Sequence, residues 1–267
     1  PRSLREHTAA MGALSRQRLW HGALHLWRRY VEEAGGPPDA QLYGAALGAC
    51  QQGWRWETAV ALWRQMGSEG HGSNPIACSS VMGACTRADR WELALALWSA
   101  FDGPLDAIGH AAALGAYERG ACWEEALQLL ADGRARGQKP DAVTFVAAMG
   151  ACRQSSHWQH ALELLACMER RGPRPNIFVY GAAMAATERG HQWQHALALL
   201  DVAATAAAPL TVVAINAAIG ACARALQWEA ALALLGRIRT LGLEPTVISY
   251  NSAISACGGS RQWSAAL

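Results

Sequence analysis

Apolar residues along this chain fall into short helical stripes that return with a fixed period. Trp158, Ala161, Leu162 and Leu165 stand at i, i+3, i+4 and i+7, the face of an amphipathic helix. Thirty-five residues on, "GHQWQHALALL" (190–200) restates "SSHWQHALELL" (155–165). Tryptophan heads the stripe at Trp20, Trp56, Trp91, Trp123, Trp158, Trp193, Trp228 and Trp263, with spacings of 36, 35, 32, 35, 35, 35 and 35 residues. Eight tryptophans in one phase are the signature of a repeat array. Setting each Trp as the seventeenth residue divides one array over 1–267 into units 4–39, 40–74, 75–106, 107–141, 142–176, 177–211, 212–246 and a partial 247–267.

Within a unit the tenth residue is always Ala, from Ala13 to Ala256, and so is the twentieth, from Ala23 to Ala266. The twenty-first is Leu except at Val60. The first half carries its own stripe at the fourth, eighth and eleventh residues, as in Tyr180, Met184 and Thr187 or Ile215, Ile219 and Cys222. Gly, Ser, Asp or Gln interrupts the two stripes, and a Gly-x-x-Pro stretch closes most units ("RGQKPD", "RGPRPN", "LGLEPT"). Each unit is therefore predicted to be a helix, a turn, a second helix and a proline-bearing linker. A single hairpin cannot bury its own apolar faces, so neighbouring units must stack into an all-α solenoid. The fixed alanines permit close approach. The indoles are expected to fill the space between helices as the main anchors, with Trp158 and Trp193 in the core. On that expectation Trp193→Ala costs roughly 3–5 kcal/mol.

Composition narrows the partners. The chain is 52% hydrophobic and 16% charged. No run approaches 18 apolar residues, so no membrane span is expected. The formal net charge is +2, and any polyanion must be held by local charge rather than by bulk excess. Of 23 basic residues only Lys139 is lysine. The chain opens on Pro1 and stops at Leu267 inside a unit, so it is expected to be a fragment with any targeting segment outside it.

Candidate chemistry adds little. Cys50, Cys85, Cys152, Cys222 and Cys257 share the eleventh place, on helices that stack about 8–10 Å apart, beyond the roughly 7 Å reach of a disulfide. They are expected to be buried thiols. His157 with His160, and His191 with His195, could each place two imidazoles at a helix start. No acidic or Cys residue recurs beside both pairs, so no metal is expected. No Ser–His–Asp order, phosphate loop or paired-carboxylate motif stands out, so no catalytic residue, cofactor or small-molecule substrate is expected in these residues.

One face of the first helix is uncommitted. At about 100° per residue the second, fifth, ninth and thirteenth residues fall within about 80° of one another. The thirteenth is Arg at Arg16, Arg87, Arg119, Arg189 and Arg224, a row suited to a phosphate backbone or to the carboxyl ends of helix dipoles. The ninth is Gly at six units, including Gly48 and Gly150, for close helix packing or for clearance beside a flat base.

The repeat resembles the pentatricopeptide repeat family over essentially the whole chain. "PDAVTF" (140–145), "PNIFVY" (175–180), "VVAIN" (212–216) and "PTVISYNSAI" (245–254) carry the resemblance, each followed by the Ala-Leu helix. Trp where the family usually has Leu is a departure. The resemblance implies a right-handed α-solenoid superhelix of stacked helix-turn-helix repeats that binds single-stranded RNA, one base per repeat. It implies that the fifth and last residues of a repeat read the base edge. Here these are Thr8 with Asp39, Gly44 with Asn74, Ser79 with Asp106, Ala111 with Asp141, Val146 with Asn176, Gly181 with Thr211, Asn216 with Thr246, and Asn251 unpaired. It also implies that the second residue wedges against the base: Ile76, Ile108, Val143, Phe178, Val213 and Ile248, with Arg5 and Gln41 atypical.

An Asp carboxylate only accepts and suits the ring N–H of G or U, whereas an Asn amide donates to the bare ring nitrogen of A or C. The expected target begins G, A, G, G from 5′ to 3′, is open at the next two places, and ends in a pyrimidine. Family habit implies a plastid or mitochondrial adaptor in RNA processing, stability, editing or translation. A protein-binding scaffold, or the targeting part of an enzyme whose catalytic domain lies elsewhere, are the competing expectations.

Overall fold

The structure, a computed structural model, describes residues 4–33, 38–71, 74–101, 107–135, 137, 140–206, 210–262 and 264. Among these lie fifteen helices and no strand. The odd-numbered, or first, helices are α1 (Leu4–Arg16), α3 (Ala40–Gln52), α5 (Pro75–Arg87), α7 (Ala107–Gly120), α9 (Ala142–Gln154), α11 (Ile177–Arg189), α13 (Val212–Arg224) and α15 (Val247–Gly259). The even-numbered, or second, helices are α2 (Trp20–Glu33), α4 (Trp56–Ser68), α6 (Trp91–Ser99), α8 (Trp123–Ala135), α10 (Trp158–Arg171), α12 (Trp193–Thr205) and α14 (Trp228–Thr240). Seven tryptophans are thus the opening residues of seven second helices; Trp263 lies outside the described residues. The chain divides into two compact units, 1–120 with α1–α7 and 121–267 with α8–α15.

Six first helices, α3, α5, α9, α11, α13 and α15, are each started by the side chain that closes the preceding repeat. Asp39 Oδ1 accepts from the Leu42 N–H (2.7 Å), Asn74 Oδ1 from Ile76 (3.0 Å) and Asp141 Oδ1 from Thr144 (2.8 Å). Asn176 Oδ1 accepts from Val179 (3.1 Å), and Thr211 Oγ1 from Ala214 (3.3 Å). Thr246 forms a reciprocal capping box with Ser249. These bonds satisfy amide donors that have no partner inside the helix.

Each first helix is stopped by one residue in the left-handed region. Arg18, Trp54, Asp89, Ala121, Ser156, His191, Leu226 and Arg261 have φ between 55° and 61°, and none is glycine. In the third repeat the Arg90 N–H donates to the Cys85 carbonyl (2.8 Å) and Asp89 to Thr86 (3.2 Å). In the seventh, Gln227 donates to Cys222 (2.8 Å) and Leu226 to Ala223 (3.1 Å). This is the Schellman pattern, built without its usual glycine.

Within each unit, first helices pack directly on successive first helices, α1 on α3 on α5 on α7, and α9 on α11 on α13 on α15. A second helix packs on its own hairpin partner or on the next first helix. Consecutive second helices stand farther apart and meet through long side chains, as Arg237 on α14 does with Asp201 on α12 (2.9 Å) and Arg134 on α8 with the Cys167 thiol on α10 (2.7 Å). The difference follows from side-chain size. The tenth alanines from Ala49 to Ala256 are fully buried, as are the twentieth alanines from Ala23 to Ala231. Tyr43, Phe145, Met82, Met149, Met184 and Ile219 fill the remaining space. The eleventh-place cysteines are buried, and burial pushes the Cys50 thiol up to about 12 and Cys85, Cys152 and Cys222 up to about 11.

The tryptophans depart from the expected core role. Trp20, Trp56, Trp91, Trp123, Trp158, Trp193 and Trp228 are only half-buried. A helical side chain leans toward the helix N-terminus, so an indole on the first residue reaches past the helix end. It rests on the turn of the following repeat. A β-carbon on Gly53, Gly120 or Gly190 would run into Trp20, Trp91 or Trp158. Trp123 stacks on His157 with centroids 4.2 Å apart, and the Arg90 guanidinium lies 5.2 Å from the Trp56 ring. These leading indoles lie at the turns, while the alanines, the first-helix stripe and second-helix residues such as Met66, Met168, Leu200 and Ile238 form the core.

Candidate nucleic-acid interface

The third, fourth and seventh residues of the first helices point inward, as Val179, Tyr180 and Ala183 do on α11 and Ala214, Ile215 and Ala218 on α13. Helical rotation then turns the second residue outward. Ile76, Ile108, Val143, Phe178, Val213 and Ile248 are 60–76% exposed. Large apolar side chains recur in solvent at this one repeat position in each unit, Ile76 and Ile108 in 1–120 and Val143, Phe178, Val213 and Ile248 in 121–267, which is a pattern rather than a scatter of single exposures.

The fifth residues differ among themselves. Thr8, Gly44, Ala111, Val146, Gly181 and Asn216 are half-buried and Asn251 is exposed. Ser79 is only 4% exposed, and its hydroxyl donates to the Ile76 carbonyl (3.0 Å). The closing residues Asp39, Asn74, Asp141 and Asn176 spend one side-chain oxygen on the cap and keep a second polar group. Thr211 and Thr246 have only the hydroxyl that caps. Asp106 lies outside the described residues. Hydrogen bonds from the Thr144 hydroxyl (2.6 Å) and amide hold the Asp141 carboxyl below the ordinary aspartate range.

The fifth–last pair Asn216 and Thr246 meets directly. Asn216 Nδ2 donates to Thr246 Oγ1 (3.2 Å), and Ser249 Oγ donates to Asn216 Oδ1 (2.6 Å) while accepting from the Thr246 N–H (3.0 Å). Ser249 was not anticipated from sequence. Its signal is a polar third residue, shared only with Glu6 and Thr144, where other repeats carry Leu42, Ala77, Val179 or Ala214. With Oδ1 committed, Asn216 offers its remaining N–H.

The thirteenth-place arginines turn partly toward the preceding repeat. Arg224 forks onto Glu188 Oε1 (3.1 and 3.2 Å), Arg119 lies 3.9 Å from Asp89, Arg189 reaches Gln154 (3.5 Å) and Arg87 the Gln51 carbonyl (3.5 Å); Arg16 is exposed. The ninth-place glycines divide as well. A β-carbon on Gly12, Gly48 or Gly115 would meet nothing, whereas on Gly83 or Gly220 it would meet Gln51 or Glu188. Gly150 is buried. His160 and His195 lie against Trp123 and Trp158, with centroids at 4.6 and 5.0 Å. Among the described residues no three His, Cys, Asp or Glu side chains are grouped to hold a metal, and no helix is long and apolar enough to cross a membrane.

Stacked helical hairpins of about 35 residues, with a periodic row exposed on the first helices, define the class of helical-repeat proteins. The family model for the pentatricopeptide repeat domain matches residues 128–188 and 208–260. The chain is similar to the solved structure of PPR10 in complex with an 18-nt psaJ RNA element, with a TM-score of 0.86 and 18% identity over 99% of this chain and 39% of that one. It is also similar to PPR10 from maize, with a TM-score of 0.74 and 25% identity over 98% of this chain and 38% of that one. It thus spans about two-fifths of the length of these structures. No curated protein matches it in sequence. Residues 128–188 and 208–260 thus match the pentatricopeptide repeat domain, and the fold over nearly the whole chain is similar to that of solved pentatricopeptide repeat proteins.

Proposed function

We propose that this chain binds single-stranded RNA, one base per repeat, along its first helices, and serves as an adaptor in plastid or mitochondrial RNA metabolism. The observation that carries this reading is the exposed apolar second residue that recurs in each unit, Ile76 and Ile108 in one and Val143, Phe178, Val213 and Ile248 in the other. Each base inserts against a second residue, whose burial repays its exposure in the free protein, and meets the fifth and closing residues at its edge. The similar structure that holds an 18-nt RNA supports the ligand class. Asp39 and Asp141 accept from a ring N–H and favour G or U. Asn216, donating through its remaining N–H, pairs with a pyrimidine acceptor. Ser79, buried and bonded to its own helix, contributes little to the third place, so Asp106 is left to select there.

Selection of tight binders from a random single-stranded RNA pool tests this. The intact chain should enrich a G opposite the first repeat, and Asp39→Asn should move that preference toward A while the cap survives. Phe178→Ala should weaken binding about tenfold. A pool that emerges with no positional preference overturns base reading.

A further inference from the structure

A groove of about 620 Å³ opens at the turns between first and second helices in the 1–120 unit, lined by Arg18, Gln52, Trp54, Arg87 and Arg119. Its size lies within the roughly 300–1,000 Å³ of small-ligand clefts. Three arginines line it, and Asp89 lies 3.9 Å from Arg119 as its counter-charge.

Trp54 is the residue that packing does not explain. It occupies the left-handed turn position (φ 56°), where an L-side chain is disfavoured, and its side chain is 65% exposed. The half-buried Trp56, two residues on, is the indole that heads α4. A large aromatic held open at a strained position, beside three cations, suits a flat anionic ligand. Gln52 adds a second indication. Its Oε1 is withdrawn from solvent with no hydrogen-bond partner, a group that a ligand donor would satisfy.

We infer that this groove binds a nucleotide of the RNA strand, with the base stacked on Trp54, its edge at the Gln52 amide and its phosphates held by Arg18, Arg87 and Arg119. The inference rests on the single-stranded RNA reading above and extends it to a separate contact. Along a first helix the thirteenth residue lies about 12 Å from the fifth. The groove therefore engages a nucleotide other than the one being read at that repeat. Stacking on an indole accepts any base, so this contact adds affinity without adding sequence preference.

The test uses the intact chain and a random-sequence single-stranded RNA pool, with binding measured across a salt series. Trp54→Ala should weaken binding about tenfold and equally for all sequences, while Trp54→Phe retains most of the affinity. Arg18→Gln should lower the slope of log affinity against log salt by about 0.7. The melting temperature of Trp54→Ala should stay at the wild-type value, since the indole is exposed. Ultraviolet cross-linking should attach RNA to the peptide carrying Trp54. If Trp54→Ala binds like wild type while Phe178→Ala is weakened, the groove is not an RNA contact and the base-row reading stands. If the intact chain binds no RNA, both fall.

Discussion

Leu226 sits at φ 58° with its side chain largely in solvent. Its left-handed backbone costs about 1–2 kcal/mol, offset only in part where its Cδ2 lies over Gly259. Glycine removes that cost and loses part of the gain to its freer unfolded chain. Leu226→Gly should therefore stabilise the protein by about 0.5–1 kcal/mol, read as a higher denaturant midpoint with unchanged slope. The sequence predicted a turn here but not its left-handed residue. Helix stops are recognised by glycine, and here Arg, Trp, Asp, Ala, Ser, His and Leu fill the slot. Ser249 was hidden for a related reason: a buried hydroxyl looks ordinary until the Asn216 amide is placed beside it.

Asp141 gives a pH-dependent expectation at the same scale. Its folded-state pKa is depressed, so its stabilising effect is full above the ordinary aspartate range and is lost as pH falls through the folded value. Thermal melts in acid should show wild type losing its advantage over Asp141→Ala. At neutral pH the gap should be about 1 kcal/mol, the usual worth of a cap.

Among the elements, the first helices are held by small residues at fixed places, and this much was plain from periodicity alone. Ala186 is fully buried on α11, and α11 packs on α9 and α13. Ala186→Leu should cost roughly 1–3 kcal/mol by overpacking, and the loss should appear in chemical denaturation. The tryptophan phase located every described second helix, yet the indoles' role was misjudged. Hydrophobic size argued for the core, but a residue on the first helical turn aims beyond its own helix. Half-burial lowers the expected cost of Trp193→Ala to about 2 kcal/mol, less than that of a core aromatic.

Across the whole molecule, the all-α repeat architecture was readable because one pattern recurs through nearly the entire chain, and errors at a single residue average away. The proposed binding residues were readable only as positions. Whether a closing side chain has a spare polar group, or whether an arginine is already paired as Arg224 is with Glu188, depends on neighbours one repeat away. The capping bonds carry a further consequence. Asp39, Asn74, Asp141, Asn176, Thr211 and Thr246 each hold the opening turn of a helix by a short polar arm. If these same arms face RNA bases, their chemical alphabet is set by the backbone before any ligand arrives. Only Asp, Asn, Ser and Thr both secure a helix start and present a polar edge. A redesigned repeat that introduced another residue there to accept a new base would loosen its own first turn in doing so.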